Sequence, residues 1–324
     1  MRVTLLGAGA VGGWLAAGLA RAGVEVSILA RGATLAALRG RGLVFRHGEA
    51  EEVFRLPASD DPAALAGADI LLLGLKSHDL PAALPLVRRL IGRETLVAPA
   101  QNGLPWWFFQ GFGGPAEGAI LDSVDPGGAL ARAIPAERVL GGVAHVGSRV
   151  EAPGVIRLIQ QDRMLFGDPS GRHPGPLAAL VAALARGGIP ASAAPDIRME
   201  IWLKLWGNSN MNPLSALSRA DMLAMLDDPG VAGLIEAMMR EMAAIGERIG
   251  LPIAQDIPTR LQVTRRLGAF RTSMLQDLEA RRPLELGPVL GCLVELTQRL
   301  EMPAPTLAGV HGLTRLLGRN LGLD

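Results

Sequence analysis

The feature that most narrows what this chain can become lies near its start. A short apolar run, Val3 to Leu6, leads directly into Gly7-Ala8-Gly9-Ala10-Val11-Gly12. A helical pattern through Leu15, Leu19 and Ala20 then gives way to a second run, Val24 to Leu29. Strand, turn, helix and strand in that order give each glycine a mechanical job. Gly7 permits the tight turn, Gly9 lets the backbone approach a pyrophosphate, and Gly12 lets the helix pack on the sheet, with the anion at the helix N-terminus. In a chain with 41 glycines the hexapeptide alone means little; its place after the first strand carries the reading. Arg2 followed by apolar residues ending in Ala16-Ala17-Gly18-Leu19-Ala20 also imitates a secretory signal. The glycine fingerprint accounts for that stretch better, so a cytoplasmic protein is expected.

The end of the second strand bears on the cofactor. Sites for NAD usually place an acid there, roughly 20 residues past the glycines, to bond the ribose hydroxyls. Here the residues are Ala30-Arg31. A cation in place of an acid suits the 2′-phosphate of NADPH, whose geometry a planar guanidinium matches. A solvated arginine at a strand end is the plainer alternative.

Leu43 to Leu56 reads as an excursion or hairpin, and Asp69 to Leu75 as a fully buried parallel strand ending at Lys76. Thr95 to Ala98 is a further strand, ending near Asn102-Gly103. Lys76 and Asn102 therefore emerge at carboxyl ends of strands, where open α/β sheets bind their ligands; a helix cap and an ordinary turn are the alternatives. Val139 to Phe166 alternates like antiparallel strands turning at Pro153-Gly154, Pro176 to Arg186 reads as a helix, and Ala191 to Pro195 as an interdomain connection. After Asp196 strand patterns vanish and helical periodicity continues to the end, with breaks at Pro213, Gly230, Gly250-Leu251-Pro252, Gly268, Pro283 and Pro303. The expected organisation is an α/β Rossmann-type domain over 1–195 followed by an all-α domain over 196–324.

Composition sharpens the search within that frame. Of 32 basic residues only Lys76 and Lys204 are lysines, there is no tyrosine, and four of the five asparagines are Asn102, Asn208, Asn210 and Asn212. A chain that uses arginine wherever arginine serves retains lysine where a compact ammonium with an adjustable pKa is needed. Asp196 caps a helix expected over Ile197 to Met211, which Pro213 ends or kinks. Along it Lys204, Asn208 and Asn212 are spaced four apart, drifting about 80° in all and climbing about 6 Å per step, so they form one polar stripe. An ammonium on so apolar a helix reaches solvent or faces a polar cleft. Two carboxamides beyond it favour the cleft, since they hold a substrate's polar groups without adding charge.

Other classes are excluded by the same arithmetic. Thirty-one acidic residues offset the basic ones to a net charge of +1, without the clustered excess that nucleic-acid binding needs. No apolar run reaches the roughly 20 uninterrupted residues of a membrane span. The one cysteine, Cys292, has no disulfide or metal-ligand partner in the pattern, so no metal is expected and a reducing compartment fits. Apolar faces on the later helices serve either as core or as the interface of a homodimer.

Taken together, Gly7 to Gly12, the strand ending at Lys76, Asn102-Gly103, the Lys204-x3-Asn208-x3-Asn212-Pro213 helix, and Ser273-Met274-Leu275-Gln276-Asp277 followed by Glu285 resemble the ketopantoate reductase family over nearly the whole chain. The resemblance implies NADPH-dependent reduction of 2-dehydropantoate, a small 2-oxo acid, to (R)-pantoate in pantothenate and coenzyme A synthesis, in a cleft between the two domains. It implies Lys204 as proton donor and Asn208, Asn212 and Ser273 as substrate contacts. Lys76 and Asn102 become cofactor contacts, Asn102 also touching substrate, and Glu285 a carboxylate near the cofactor. Taken without the resemblance, Ser273 reads as a helix N-cap and Glu285 as a solvated helix residue. One departure stands out: where the family commonly carries a further substrate asparagine, this chain has Arg219-Ala220-Asp221-Met222-Leu223. Reduction of another 2-oxo acid therefore stays open, and less favoured are a 3-hydroxy acid dehydrogenase and a nucleotide-binding protein without turnover. Trp106-Trp107-Phe108-Phe109 either crowds the cleft or packs under a loop.

Overall fold

The computed structural model describes residues 1–323. Its internal contacts divide the chain into two compact units, residues 1–102 with 129–200, and residues 103–128 with 201 onward. In the first unit the elements are β1 (Arg2–Leu6), α1 (Ala10–Arg21), β2 (Glu25–Leu29), α2 (Gly32–Gly40), β3 (Leu43–His47), β4 (Ala50–Phe54), β5 (Ala58–Ser59), β6 (Ile70–Leu73), α3 (Leu80–Leu90), β7 (Leu96–Pro99), α4 (Ala129–Ala133), β8 (Gly141–Ala152), β9 (Val155–Gly167), α5 (Pro174–Arg186) and β10 (Ala191–Ala193).

The first five-stranded sheet runs β5-β2-β1-β6-β7, and every pairing in it is parallel. Each residue of β6 and of β7 is buried, as the unbroken apolar runs require when both faces of a sheet are covered. From β1 the chain builds outward to β2 and β5, then returns to β6 on the other side of β1. That reversal makes the space beyond the carboxyl ends of β1 and β6 the switch point of the sheet. The register pairs Leu6 with both Leu29 and Leu73, so Gly7, Ala30 and Gly74 leave the sheet level with one another.

The second sheet contains two hairpins: β3 with β4, which resolves the excursion-or-hairpin reading of Leu43 to Leu56, and β8 with β9, turning at Pro153-Gly154 with Gly154 at φ +73°. The segment expected to be an interdomain connection is instead β10, pairing parallel with β9 from Ala191 opposite Met164 to Ala193 opposite Phe166. Three residues are too short for their own pattern to mark a strand; the open edge of β9 recruits them. Helix α1 packs against this sheet through glycine. A Cβ on Gly13 would come within 2.5 Å of the Ile156 side chain, and Trp14 Nε1 donates to Gln161 Oε1 at 3.1 Å.

Helix α6 (Ile197–Ser218) begins at Asp196, whose Oδ1 accepts from the backbone amides of Arg198 and Met199 at 3.0 Å each, as the cap reading predicts. Pro213 neither ends nor replaces the helix, which continues through it to Ser218. A proline inside a helix costs about 3 kcal/mol, but Asn212, Pro213, Leu214 and Ser215 are all buried, and that packing holds the turn. The remaining helices are α7 (Met222–Asp227), α8 (Pro229–Ile249), α9 (Ile257–Arg265), α10 (Ser273–Glu279), α11 (Cys292–Arg299) and α12 (Pro305–Leu321). Asp221, Asp228 and Asp256 cap three of them through their side chains. Gly230 falls inside the first turn of α8, the break itself lying at Asp228, and Gly250 closes α8 in the left-handed conformation at φ +88°.

The expected division at 195/196 differs from this partition in two respects. The boundary falls at Glu200/Ile201 inside α6, and residues 103–128 pack with the later helices. The aromatic run explains that placement. Trp107 and Phe108 are fully buried, Phe108 lies 6.2 Å from Trp202 on α6 between ring centroids, and Phe109 meets Phe108 edge-on at 5.0 Å. Trp106 to Phe109 is thus packing within the second unit. The amides of Asp122 and Ser123 add two 2.9 Å hydrogen bonds to the Glu295 carboxylate on α11. Among the described residues, no helix is long and apolar enough to cross a membrane.

Candidate active site

In the first unit, Gly7 takes φ +91°, and a Cβ there would lie 2.5 Å from the Leu75 side chain. Gly9 is the N-cap of α1, and no side chain occupies the cap or adds an acid to the first turn. The first amides of α1 are therefore directed out of the helix end with no competing carboxylate, the arrangement that attracts a phosphate. Gly12 cannot gain a Cβ without approaching Gly7 O to 2.5 Å and the Gly74 Cα to 3.1 Å. Gly74 makes the reciprocal contact, meeting Gly7 O and the Gly12 Cα. It is a fourth member of the cradle that the sequence reading does not single out; its signal is a lone glycine interrupting the apolar strand after Leu73. Gly7, Gly12 and Gly74 let the β1 turn, α1 and the end of β6 pack closely, and with Gly9 as a bare N-cap the first amides of α1 stay open, so the residues present fit a dinucleotide pyrophosphate.

Around this cradle Ala8, Ala10 and Val11 form the rest of the turn and the first residues of α1. Arg31 is exposed at the N-cap of α2, immediately beyond β2. Lys76 precedes a short 3-10 turn after β6, and Asn102 follows β7. Ser77 Oγ donates to the Asn102 carbonyl at 3.1 Å and Gln101 Nε2 to the Leu75 carbonyl at 2.8 Å, tying these two loops together. Gly7 to Gly12, Arg31, Lys76 and Asn102 thus all belong to the carboxyl edge of one sheet.

In the second unit, Lys204, Asn208 and Asn212 lie on α6 as the spacing predicts. Beside the stripe the helix is anchored by Trp206, whose Nε1 donates to the Met239 carbonyl at 3.0 Å. Asn210, off the stripe, is committed to the Trp206 carbonyl at 2.6 Å. By contrast, neither Asn208 nor Asn212 makes a side-chain hydrogen bond among the described residues, although Asn212 is only 5% exposed. Asn208 is only partly buried and neither carboxamide is sealed from solvent, so both can hydrogen-bond a small ligand.

Lys204 keeps some exposure, yet its surroundings are dense. Desolvation dominates its ionisation and pulls the ammonium down to about 8, while the negative charge of Glu285 acts in the opposite direction. Glu285 is not a solvated helix residue; it is buried, just ahead of the π-helical turn Gly287–Gly291 that leads into α11. The Gly287-Pro288 dipeptide is the only sequence hint of that irregular turn, a form found often at functional sites. Ser273 does not cap α10. Thr272 does so, its Oγ1 accepting from the Leu275 amide at 3.2 Å, which leaves the exposed Ser273 hydroxyl outside the cap. Asp221, in the stretch without an asparagine, is committed to capping α7. The structure therefore assembles one set of predicted residues in each unit.

Two family models match the chain: ketopantoate reductase PanE/ApbA over residues 3–106, and the C-terminal ketopantoate reductase PanE/ApbA model over 196–318. A 2-dehydropantoate 2-reductase from Mesorhizobium japonicum is 40% identical over 323 residues, covering 99% of each chain. A structure from Ralstonia solanacearum MolK2, provisionally assigned as a ketopantoate reductase, superposes with a TM-score of 0.95 at 42% identity, over 100% of this chain and 99% of that one. The 2-dehydropantoate 2-reductase of Methylococcus capsulatus gives 0.86 at 27% identity, over 100% and 99%. Fold and glycine cradle belong to the class of pyridine-nucleotide-dependent oxidoreductases. Within that class, the chain belongs to the ketopantoate reductase family.

Proposed function

We propose that this protein reduces 2-dehydropantoate to (R)-pantoate with NADPH. The observation that carries the reading is Lys204, an ammonium drawn down to about 8 on a helix that also presents two carboxamides with no side-chain hydrogen bond among the described residues. The nicotinamide, when bound, supplies hydride to the ketone carbon. Charge then develops on the carbonyl oxygen, and Lys204 stabilises it and donates a proton from Nζ. Glu285 keeps that proton on the lysine until it is needed. Asn208, Asn212 and Ser273 orient the substrate through neutral hydrogen bonds. Gly7, Ala8, Gly9, Ala10, Val11 and Gly12 hold the pyrophosphate, Lys76 and Asn102 the nicotinamide end, and Arg31 the 2′-phosphate that distinguishes NADPH from NADH. A cytoplasmic location follows from this soluble substrate and cofactor. A homodimer is also part of the proposal, supported by Leu313 and Leu316, both more than half exposed on α12.

The test follows loss of reduced-nicotinamide absorbance with 2-dehydropantoate, a panel of other 2-oxo acids, and NADH in place of NADPH. Preferred turnover of 2-dehydropantoate with NADPH is expected. Turnover confined to a different 2-oxo acid would retain Lys204 in its role and remove the protein from pantothenate synthesis.

A further inference from the structure

On α6, Gly207 lies about 60° around the helix from Lys204, on the side opposite the carboxamides at about 40° and 80°. Gly207 is where a second cation meets this face. A Cβ there would lie 2.8 Å from a terminal guanidinium nitrogen of Arg260 on α9, with Cζ and Nε of the same group at 3.7 and 3.8 Å. With glycine here the planar group rests directly against the helix, and a methyl would push the guanidinium aside. In circular order the face therefore reads Arg260 at Gly207, then Lys204, then Asn208 and Asn212. Gly207, Lys204, Asn208 and Arg260 all retain partial exposure, so the face is accessible to a small ligand.

A 2-oxo acid has its own fixed order: carboxylate, ketone, then the rest of the molecule. The carboxylate is the one full charge that it brings. Lys204 and Glu285 already oppose one another, and two carboxamides add nothing, so without another cation the face would take up an anion with no net compensating charge. A guanidinium is the side chain best shaped to receive a carboxylate through paired hydrogen bonds.

We infer that Arg260 is the carboxylate-binding and specificity-determining residue of this site, holding the substrate's carboxylate beside Gly207 so that the ketone falls at Lys204 and the remainder at Asn208 and Asn212. The inference rests on the proposed reading of the Lys204 face as the substrate site, and deepens it. It predicts that discrimination for acids over neutral ketones resides in Arg260, and that Gly207 is kept small to admit it.

The test compares 2-dehydropantoate with its lactone, which has the same ketone and no carboxylate. Arg260→Gln should raise KM for the acid by about 10- to 100-fold, the loss of a charge-assisted hydrogen bond, while leaving kcat within a few-fold. KM for the lactone should not change, and Arg260→Lys should recover part of the loss. Gly207→Ala keeps every charge and improves helix propensity, so it should raise KM for the acid while the melting temperature holds or rises. A merely structural Arg260 would instead alter both substrates equally, or lower the melting temperature in step with activity, and either result overturns the inference. Titration of the NADP-loaded protein with oxamate, a minimal 2-oxo acid mimic, separates this idea from the choice of substrate. Unaltered oxamate affinity in Arg260→Gln overturns the carboxylate role even if the natural substrate is another 2-oxo acid. Failure of the unsubstituted protein to reduce 2-dehydropantoate, with oxamate binding still dependent on Arg260, would reject the substrate while supporting the arginine.

Discussion

At the scale of single residues the protein turns on a chemical difference between lysine and arginine. In the proposed mechanism Lys204 is the acid, and burial draws its ammonium down to about 8. Replacing it with alanine should lower kcat by about 10²- to 10⁴-fold, the usual contribution of a positioned general acid. A guanidinium in its place would keep the charge and hold its proton too tightly, so Lys204→Arg should be nearly as slow in steady-state assays; substantial turnover in that variant would dismiss the proton-donor role. The pH dependence follows from the same group. Reduction needs the protonated form, so its rate should fall as pH rises through about 8, and oxidation of pantoate should rise over the same interval. Glu285 raises the Lys204 value, so Glu285→Gln should move the descending limb to lower pH. An unmoved limb in a pH-rate profile would show that the two charges are not coupled. For stability the sign is opposite to that of an ordinary ion pair. The folded state holds the Lys204 proton less tightly than the unfolded chain does, so this residue opposes folding below about 8 and the penalty fades as pH rises toward 10.5.

Among the elements, α1 shows how a helix can be constrained on several sides by the absence of side chains. Its glycines answer to the β1 turn and β6 at Gly12, to the second sheet at Gly13, and to Ile189 at Gly18. Gly12→Ala would bring a methyl within 2.5 Å of Gly7 O, a backbone atom that cannot rotate away. The expected result is a loss of about 1–3 kcal/mol of stability from overpacking, together with weaker dinucleotide binding. Chemical denaturation and cofactor titration would measure both, and a variant with native stability and affinity would mean that the turn after β1 can yield. Helix α6 teaches the converse. Its proline reads as a terminus or a kink, yet burial around Asn212 to Ser215 carries the helix past it, because a local penalty of about 3 kcal/mol is smaller than what several buried side chains return.

For the whole molecule, cofactor choice is a property read best through stability, since a ligand that binds only the folded state raises it by an amount set by affinity. NADPH should raise the melting temperature more than NADH at equal concentration, and Arg31→Ala should abolish that difference while sparing most of the NADH effect. Equal weakening of both nucleotides would remove the 2′-phosphate role from Arg31. Much of this architecture is legible in the chain alone: the glycine turn, the parallel strands to Lys76 and Asn102, both hairpins, and the Lys204 stripe all follow from patterns contained within short stretches. Periodicity and steric need are local, and a sequence carries them directly. What tertiary structure alone decided was every relation between distant stretches. Gly74 joined the cradle because β6 returns beside β1, β10 became a strand because β9 offered an edge, and residues 103–128 went to the helical unit because aromatic packing took them there. Glu285 acquired meaning by being buried against the charge of Lys204, and Arg260 by resting on Gly207. Their proposed roles depend on which charges and surfaces meet after folding, and no spacing along the chain encodes that meeting.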